Sequence, residues 1–251
     1  MKRTISTVFA ASIAALPLSS MSAPPAAVKN VVLVHGSFAD GSGWRGVADI
    51  LINDGYHVSV VQPPETSLNE DVAAVKRVLA VQDGPAILVG HSYGGVIITQ
   101  AGDDPKVAGL VYVAAIAPDD GEAAGQLLQK IPAASTAVTP TADGFLYLDP
   151  RRFHDDFAAD LPVSETRFMA LSQVVTNGAA FGQKITGPAW KTKPSWGIVA
   201  TEDRAINPDL ERFMYQRAGS HVTEIKASHA VYISRPKEVA AVIESAAAAV
   251  K

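Results

Sequence analysis

The pentapeptide Gly90-His91-Ser92-Tyr93-Gly94 places a serine between two glycines, directly after the apolar run Ala86–Val89. A serine hydroxyl is a weak nucleophile unless the backbone holds it out toward a base. The flanking glycines allow a sharp strand-to-helix turn, because they lack the Cβ that would clash there. The pattern predicts Ser92 as a nucleophile exposed above a sheet.

A general base and an orienting acid for this serine follow in the C-terminal third of the chain. His229 comes just after the run Val222–Lys226, and histidine ordinarily titrates near neutral pH, as a general base must. Asp203 comes just after the run Ser195–Thr201 and is predicted to hold the His229 ring and stabilise its charged form. Three other carboxylates stay open as alternatives for this role: Glu202, Asp119 and Asp120.

Two backbone amides are predicted to bind the oxyanion of the reaction. Gly36 permits a turn after the first apolar run and aims the Ser37 N–H at the site. The Tyr93 N–H, at the start of the following helix, is the natural second donor. Phe38 is the alternative for the first donor.

The remaining histidines and one glycine motif have simpler interpretations. His35 is expected to brace the Ser37 loop, and His91 to point away from the site. The others are expected to be structural or solvated, and their spacing indicates no metal: His57, His154 and His221. The segment Gly41–Gly46 matches a dinucleotide motif, with Glu65 about 20 residues on. Its glycines start several residues after the strand, so a loop leading into the first helix is predicted, without a cofactor.

Six short β-rich runs separated by helical segments predict an α/β fold with a doubly wound, mostly parallel sheet. The runs are Val31–His35, His57–Val61, Ala86–Gly90, Val107–Ala115, Ser195–Thr201 and the weaker Val222–Lys226. Helix starts are indicated by Ser67 with Glu70, by Asn207-Pro208 and by Pro236.

The region 118–194 contains no convincing strand and many aromatic residues. It predicts a mostly helical cap insertion, at about 119–194, above the edge of the sheet where α/β proteins bind ligands. The aromatic residues expected to contact substrate are Phe38, Phe153 and Phe168.

The N-terminal segment and the composition indicate an exported protein. Lys2 and Arg3 precede an apolar stretch and then small residues, which predicts a signal peptide at 1–22, a folded α/β domain at 28–251 and a periplasmic or secreted location. The apolar stretch is too short for a stable membrane anchor.

The composition excludes some kinds of chemistry and partner. The chain lacks cysteine, which excludes disulfides and thiolate catalysis. A net charge of -4, with no basic patch, argues against nucleic acid as a partner.

These motifs together resemble the α/β-hydrolase superfamily, whose catalytic residues also follow the order Ser, Asp, His. The pieces most alike are Val34–Ser37, Gly90–Gly95, Thr201–Ile206 and Ser228–Ala230. They resemble the branch of small bacterial esterases, pyrethroid-hydrolase-like enzymes, plant methylesterases and hydroxynitrile lyases. The resemblance implies a triad of Ser92, Asp203 and His229, a helical cap and no cofactor.

The expected function is hydrolysis of small apolar or aromatic carboxylic esters through an acyl-enzyme. Hydroxynitrile-lyase-like chemistry and cofactor-free peroxidase chemistry on the same triad are the alternatives. Lyases of this branch typically carry a lysine beside the catalytic histidine and a threonine near the oxyanion loop. Here Ala230 follows His229, and Gly36-Ser37 replaces the threonine, which disfavours cyanohydrin cleavage. A binding protein without turnover and a nicotinamide oxidoreductase are weaker alternatives, and the sequence defines no oligomeric state.

Overall fold

The computed structural model describes residues 28–250, and its centre is a six-stranded parallel sheet. In these residues the strands are β1 (Asn30–Val34), β2 (His57–Val61), β3 (Ala86–Ser92), β4 (Val107–Ala115), β5 (Val138–Pro140), β6 (Phe145–Leu148), β7 (Thr176–Asn177), β8 (Ser195–Ala200) and β9 (His221–Ile225). The sheet has the order β2-β1-β3-β4-β8-β9, and every neighbouring pair is parallel. All six predicted strands are therefore confirmed, with ends that differ from the prediction by at most two residues.

Helices cover both faces of this sheet, as a doubly wound fold requires. They are α1 (Arg45–Asn53), α2 (Leu68–Ala80), α3 (Gly94–Ala101), α4 (Ala124–Lys130), α5 (Phe153–Phe157), α6 (Val163–Ser172), α7 (Pro208–Arg217), α8 (Val231–Ser234) and α9 (Pro236–Ala249). The side chains of β1 alternate between two fully buried clusters. Val31 and Leu33 face α1 and α9, whereas Val32 and Val34 face α2 and α3. Burial on both faces explains why these strands read as continuous apolar runs.

The predicted helix starts are confirmed at three helices. The Ser67 hydroxyl accepts a hydrogen bond from the Glu70 N–H (3.3 Å) at the start of α2. The Asn207 side chain accepts one from the Asp209 N–H (2.9 Å), and Pro208 occupies the first turn of α7. Pro236 opens α9 in the same way. A proline costs nothing there, because the first N–H groups of a helix have no intrahelical acceptor.

The segment between β4 and β8 contains α4, α5 and α6 together with a small antiparallel sheet of β5, β6 and β7. The expectation that this region holds no strand is wrong. Its strands have only two to four residues, too few to show an alternating pattern. One signal was present, because Asp143-Gly144 lies in the turn between β5 and β6, and Gly144 has a φ of +88°.

The sheet has its topological switch point between β1 and β3. The chain places β2 on one side of β1 and then crosses to place β3 on the other side. Ligands of open α/β sheets bind beyond the carboxyl ends of the strands at such a point. The loops after β1 and β3, which carry Ser37 and Ser92, leave the sheet there. Within residues 28–250, no helix is long and apolar enough to cross a bilayer. The predicted signal peptide, residues 1–22, lies outside the described residues.

Candidate active site

Ser92 occupies a strained turn between β3 and α3. Its φ is +54°, in the left-handed region that residues with a Cβ rarely adopt. Glycines make this turn sterically possible: a Cβ on Gly90 would lie 2.5 Å from the Gly94 carbonyl oxygen, and one on Gly94 would lie 2.8 Å from that of His35. Strain of this kind is typical of functional turns and holds the serine hydroxyl out from the sheet.

The His229 ring is paired with the Asp203 carboxylate inside the protein. Nδ1 of His229 lies 2.5 Å from Oδ2 of Asp203, and both side chains are almost fully buried. The other carboxylate oxygen accepts hydrogen bonds from the N–H groups of Ala205 (2.7 Å) and Ile206 (2.9 Å). Three N–H donors therefore fix the carboxylate, and a proton on Nδ1 leaves Nε2 as the basic nitrogen of the neutral ring.

Ser92 and His229 line one cavity of about 340 Å³. No hydrogen bond joins the two side chains in the part of the chain that the structure describes. The predicted nucleophile and base nevertheless face the same cavity. Catalytic hydrogen bonds of this kind are often long without substrate and shorten when it binds.

The backbone around Ser37 and Tyr93 forms the wall beside the serine. A Cβ on Gly36 would lie 2.6 Å from the Ser92 Cβ and 2.9 Å from the Tyr93 amide nitrogen, so the two loops are in direct contact. Neither the Ser37 nor the Tyr93 N–H donates a backbone hydrogen bond within residues 28–250. The Phe38 N–H, the alternative donor, is already used by the carbonyl of Val174 (3.2 Å).

The alternative acids are engaged elsewhere. Glu202 lies 3.5 Å from the Lys226 ammonium, and Asp119 forms an ion pair with Lys191 (2.5 Å). Asp120 accepts a hydrogen bond from the Gly187 N–H (2.8 Å). Of the four carboxylates considered, Asp203 is the one in contact with His229.

The predicted substrate-contacting aromatics lie in three different environments. Phe38 lines the cavity. Phe153, however, is fully buried in the core of the cap, where its ring packs 4.9 Å from that of Phe157. Phe168 is 69% exposed and borders a separate surface cleft. Neither lines the cavity, because α5 turns Phe153 inward and α6 turns Phe168 outward.

The apolar wall of the cavity combines four aliphatic residues that the sequence did not single out with two aromatic residues of the insertion, Phe157 and Phe181. They come from several segments of the cap: Leu128, Val138, Leu146, Leu148, Phe157 and Phe181. The ring of Phe157 stands edge-on to that of His229, with centroids 4.8 Å apart and planes at 76°. These residues share no spacing along the chain, so periodicity gave no signal for them.

Two of the other histidines, His35 and His91, contact the backbone of the loops that form the site. His35 braces the loop, as predicted: its ring nitrogens lie 3.0 Å from the Gly36 carbonyl oxygen and 3.1 Å from the side-chain oxygen of Gln62. His91 does not point away from the site. Its ring lies 4.6 Å from the His229 ring, and its Nε2–H donates to the His229 carbonyl oxygen (3.0 Å). Burial, then the nearby His229, hold the pKa of His91 well below its usual range.

The remaining histidines and the glycine motif have no part in the cavity. The three histidines expected to be structural or solvated lie outside it: His57, His154 and His221. Among residues 28–250, no cluster of three or more His, Cys, Asp or Glu side chains could hold a metal. Gly43 packs against the Tyr232 ring. Glu65, the acid expected of a dinucleotide site, is completely buried 3.4 Å from His35 and unavailable to a ribose.

Comparison with known proteins agrees with this architecture. Relatives of the chain include norfluorocurarine synthase 2 from Strychnos sp (25% identity; 84% of this chain and 92% of the relative). Others are the pyrethroid hydrolase of Sphingobium wenxiniae (27%; 86% and 86%) and putative methylesterase 19 of Arabidopsis thaliana (24%; 86% and 96%). Among solved structures, a pyrethroid hydrolase from Sphingobium faniae JZ-2 superposes with a TM-score of 0.74 at 25% identity, covering 87% of this chain and 97% of that one.

The sequence model of one family covers most of the chain. The alpha/beta hydrolase family matches residues 31–242, from the first strand of the sheet into the last helix. The match spans the turn at Ser92, the cap, and the Asp203 and His229 loops. This chain belongs to the alpha/beta hydrolase family.

Proposed function

We propose that this hydrolase cleaves carboxylic esters through an acyl-enzyme on Ser92. The observation that carries the proposal is the buried pair of His229 and Asp203, 2.5 Å apart, opening into the cavity that also holds Ser92 on its strained turn. Relatives named as a pyrethroid hydrolase and a methylesterase support ester cleavage as the reaction.

The first half of the reaction forms the acyl-enzyme. Nε2 of His229 takes the proton of the Ser92 hydroxyl while Oγ attacks the ester carbonyl carbon. The N–H groups of Ser37 and Tyr93 bind the negative oxygen of the tetrahedral intermediate. His229 then gives its proton to the leaving alcohol as the C–O bond breaks.

The second half releases the acid. Water enters the space left by the alcohol, and His229 removes a proton from it as it attacks the acyl carbon. As the second tetrahedral intermediate collapses, the bond between the acyl carbon and Ser92 Oγ breaks, His229 gives its proton to Oγ, and the carboxylic acid is released. Asp203 stays ionised throughout and stabilises the imidazolium form of His229.

The cavity favours small, neutral, apolar esters. Its volume of about 340 Å³ is near the lower end of the range for ligand pockets, about 300–1,000 Å³. Its lining is mainly aliphatic and aromatic, with Gln129 and Ser135 as polar groups besides the catalytic ones. Among the described residues that line it, none is an Asp, Glu, Lys or Arg. An ester with a charged acyl group would therefore lose its hydration without gaining an ion pair.

The decisive variant is Ser92→Ala. We expect it to lower kcat for p-nitrophenyl butyrate by at least about 10⁴-fold, because removing a triad nucleophile costs on the order of 10⁶ in kcat. Exposed Ser42 gives the matched control, Ser42→Ala, which is expected to keep full activity. A fluorophosphonate probe should label the parent protein and not Ser92→Ala. Retained turnover in a folded Ser92→Ala protein would disprove the nucleophile.

A substrate panel tests the class of ester and separates the alternatives. Short and medium neutral acyl chains should give the highest kcat/KM, and the anionic hemisuccinate ester should be at least about tenfold poorer. Release of cyanide from mandelonitrile, or peroxide-dependent oxidation, at rates above those for every ester would replace hydrolysis by the corresponding alternative.

A further inference from the structure

A second buried carboxyl group lies behind Asp203. Glu211, on α7, has no exposed surface. One of its oxygens accepts a hydrogen bond from the Ala200 N–H (3.1 Å), and the Ala200 carbonyl accepts one from the Asp203 N–H (3.1 Å). Both acidic residues are therefore held by the same backbone residue, and their side chains are neighbours. Its other oxygen, Oε1, is buried and has no conventional donor among the described residues. Two buried carboxyl groups are therefore neighbours, and one of them, Asp203, is bonded to the His229 ring.

The hydrogen-bond donors around the two groups are unequal. Within residues 28–250, Asp203 accepts N–H groups from Ala205, Ile206 and His229, whereas Glu211 accepts a single one, from Ala200. Donors of this kind stabilise an ionised carboxylate, and two adjacent buried carboxylates do not both ionise without a cation. The negative charge is therefore better placed on Asp203, and a proton on Glu211.

Among the residues that the structure describes, no cation forms an ion pair with Glu211, and the charge of nearby Arg212 acts on it only from a distance. Arg212, the neighbour of Glu211 on α7, extends to the surface and pairs with Glu224 (2.8 Å) and Asp209 (2.7 Å). Tyr215, one turn further along α7, uses its hydroxyl to donate to the Ala115 carbonyl oxygen (2.9 Å). Burial, followed by the charge of Asp203, holds the pKa of Glu211 well above its usual range.

We propose that Glu211 is a neutral carboxylic acid whose O–H donates a hydrogen bond to Asp203, making Glu211 a positioning residue for the catalytic pair. The donor occupies an acceptor site that the three N–H groups leave open on Asp203, because a carboxylate has about four. The proton leaves a single negative charge on the pair, on the carboxylate that faces His229. The kinetic part of this proposal rests on the proposed function, whereas the protonation state of Glu211 does not.

Two variants of Glu211 separate a donor from a space-filling side chain. Glu211→Leu keeps an apolar volume but removes both the O–H donor and the acceptor for Ala200, and we expect kcat to fall ten- to a hundredfold with little change in KM. Glu211→Gln supplies an N–H donor and a carbonyl acceptor without charge, and we expect it to restore kcat to within about threefold of the parent. Glu238→Gln, at an exposed position on α9, is the matched control.

The pH profile of kcat/KM distinguishes a neutral from an ionised Glu211. A neutral Glu211 predicts that the acid limb of the Glu211→Gln profile coincides with that of the parent, because the substitution changes no charge. An ionised Glu211 predicts that the acid limb moves to lower pH, because the substitution then removes a negative charge near His229. Such a movement would overturn the proposal.

Infrared spectroscopy of the unmutated protein tests the same point without activity or mutation. Protein labelled with ¹³C at glutamate carboxyl groups should show an isotope-shifted C=O band of a protonated carboxylic acid at pH 7–8. That band should be missing in Glu211→Gln and present in Glu238→Gln. Absence of the band in the labelled parent would refute a neutral Glu211 even if Ser92 proves to be the nucleophile. Its presence would support the protonation state even if Ser92 does not.

Discussion

Glycine at position 36 lets the backbone after β1 touch the turn that carries Ser92. A methyl group at this position would overlap the His91 carbonyl oxygen and the Ser92 Cβ, each 2.6 Å away. Real Cβ atoms do not approach other heavy atoms so closely. Two of the atoms that a Cβ on Gly36 would meet, the His91 carbonyl oxygen and the Tyr93 nitrogen, belong to the backbone and can move only with their loop. The close contact between the Ser92 turn and the Ser37 loop therefore depends on the absence of a side chain at Gly36.

Gly36→Ala should lower kcat by about 100-fold, because a displacement of about 1 Å between reacting groups has an effect of that size. The measurement is kcat for p-nitrophenyl butyrate, with the thermal midpoint recorded in parallel. Gly182→Ala is the control, since a Cβ there meets no atom within 4 Å. A Gly36→Ala protein with the activity of Gly182→Ala would show that the two loops do not need their close contact.

At the level of elements, the cap holds the loop that carries His229. The carboxylate of Asp160 accepts the Ser228 N–H (3.2 Å) and the Ser228 hydroxyl, and the Phe157 carbonyl accepts the Ala230 N–H (3.0 Å). Both neighbours of the proposed base are thus bonded to one short segment of the cap. The position of the base depends on how the cap packs, not on β9 alone.

Asp160→Ala should therefore impair catalysis from outside the cavity. It leaves the Ser228 N–H without its partner, which costs about 1–3 kcal/mol for a buried group. We expect kcat to fall about tenfold while KM changes little, because the cavity lining is untouched. Asp155→Ala, which removes an exposed carboxylate from the same cap segment, should match the parent. Equal kcat values for the two variants would show that Asp160 does not position the loop that carries His229.

At the level of the whole molecule, a buried polar network joins the sheet, α2 and the cap. Glu65 accepts the Thr176 hydroxyl from the cap, and its N–H donates to Asp71 on α2 (2.7 Å). Asp71 also accepts the hydroxyl of Tyr93 (3.1 Å). Burial by itself would lower the pKa of His35, but the Glu65 carboxylate raises it overall. Tyr93 is thus bonded to this network through its hydroxyl, and the loop that carries Ser37 is in contact with it through His35 and Gly36.

The same network predicts a pH-dependent stability. Burial raises the pKa of Asp71 from 3.8 to about 6. The folded protein therefore binds this proton more tightly than the unfolded chain, and the Asp71 contribution to stability falls as pH rises from about 4 to about 6. Over that range Asp71→Asn should gain stability relative to the parent, by at most about 3 kcal/mol. Urea unfolding of both proteins at pH 4, 5, 6 and 7 measures the difference, and a difference that does not vary with pH would contradict it.

The sequence was sufficient to predict the parallel sheet, three helix starts and the candidate triad, because the patterns that indicate them are local. Short β-rich runs, most of them continuous and apolar, located all six strands of the parallel sheet, and Ser67, Asn207 and Pro236 located three helix starts. Serine between glycines after a strand, and an aspartate and a histidine after two later strands, identified the candidate triad. Parallel strands end at one edge of the sheet, so residues at their carboxyl ends meet there whatever the intervening chain does.

Tertiary packing alone decided the cap, the cavity wall and the support behind the triad. Phe157 and Phe181 line the cavity while Phe153 lies in the core, although all three are phenylalanines in the same insertion. Glu211 reaches Asp203 only because α7 packs against β8, and Asp160 reaches Ser228 only because the cap folds onto the last loop. Asp160 and Ser228 are 68 positions apart, and Glu211 lies on α7 whereas Asp203 lies in the loop after β8. Contacts of this kind leave no periodic trace in a single sequence, because either partner alone is compatible with many environments.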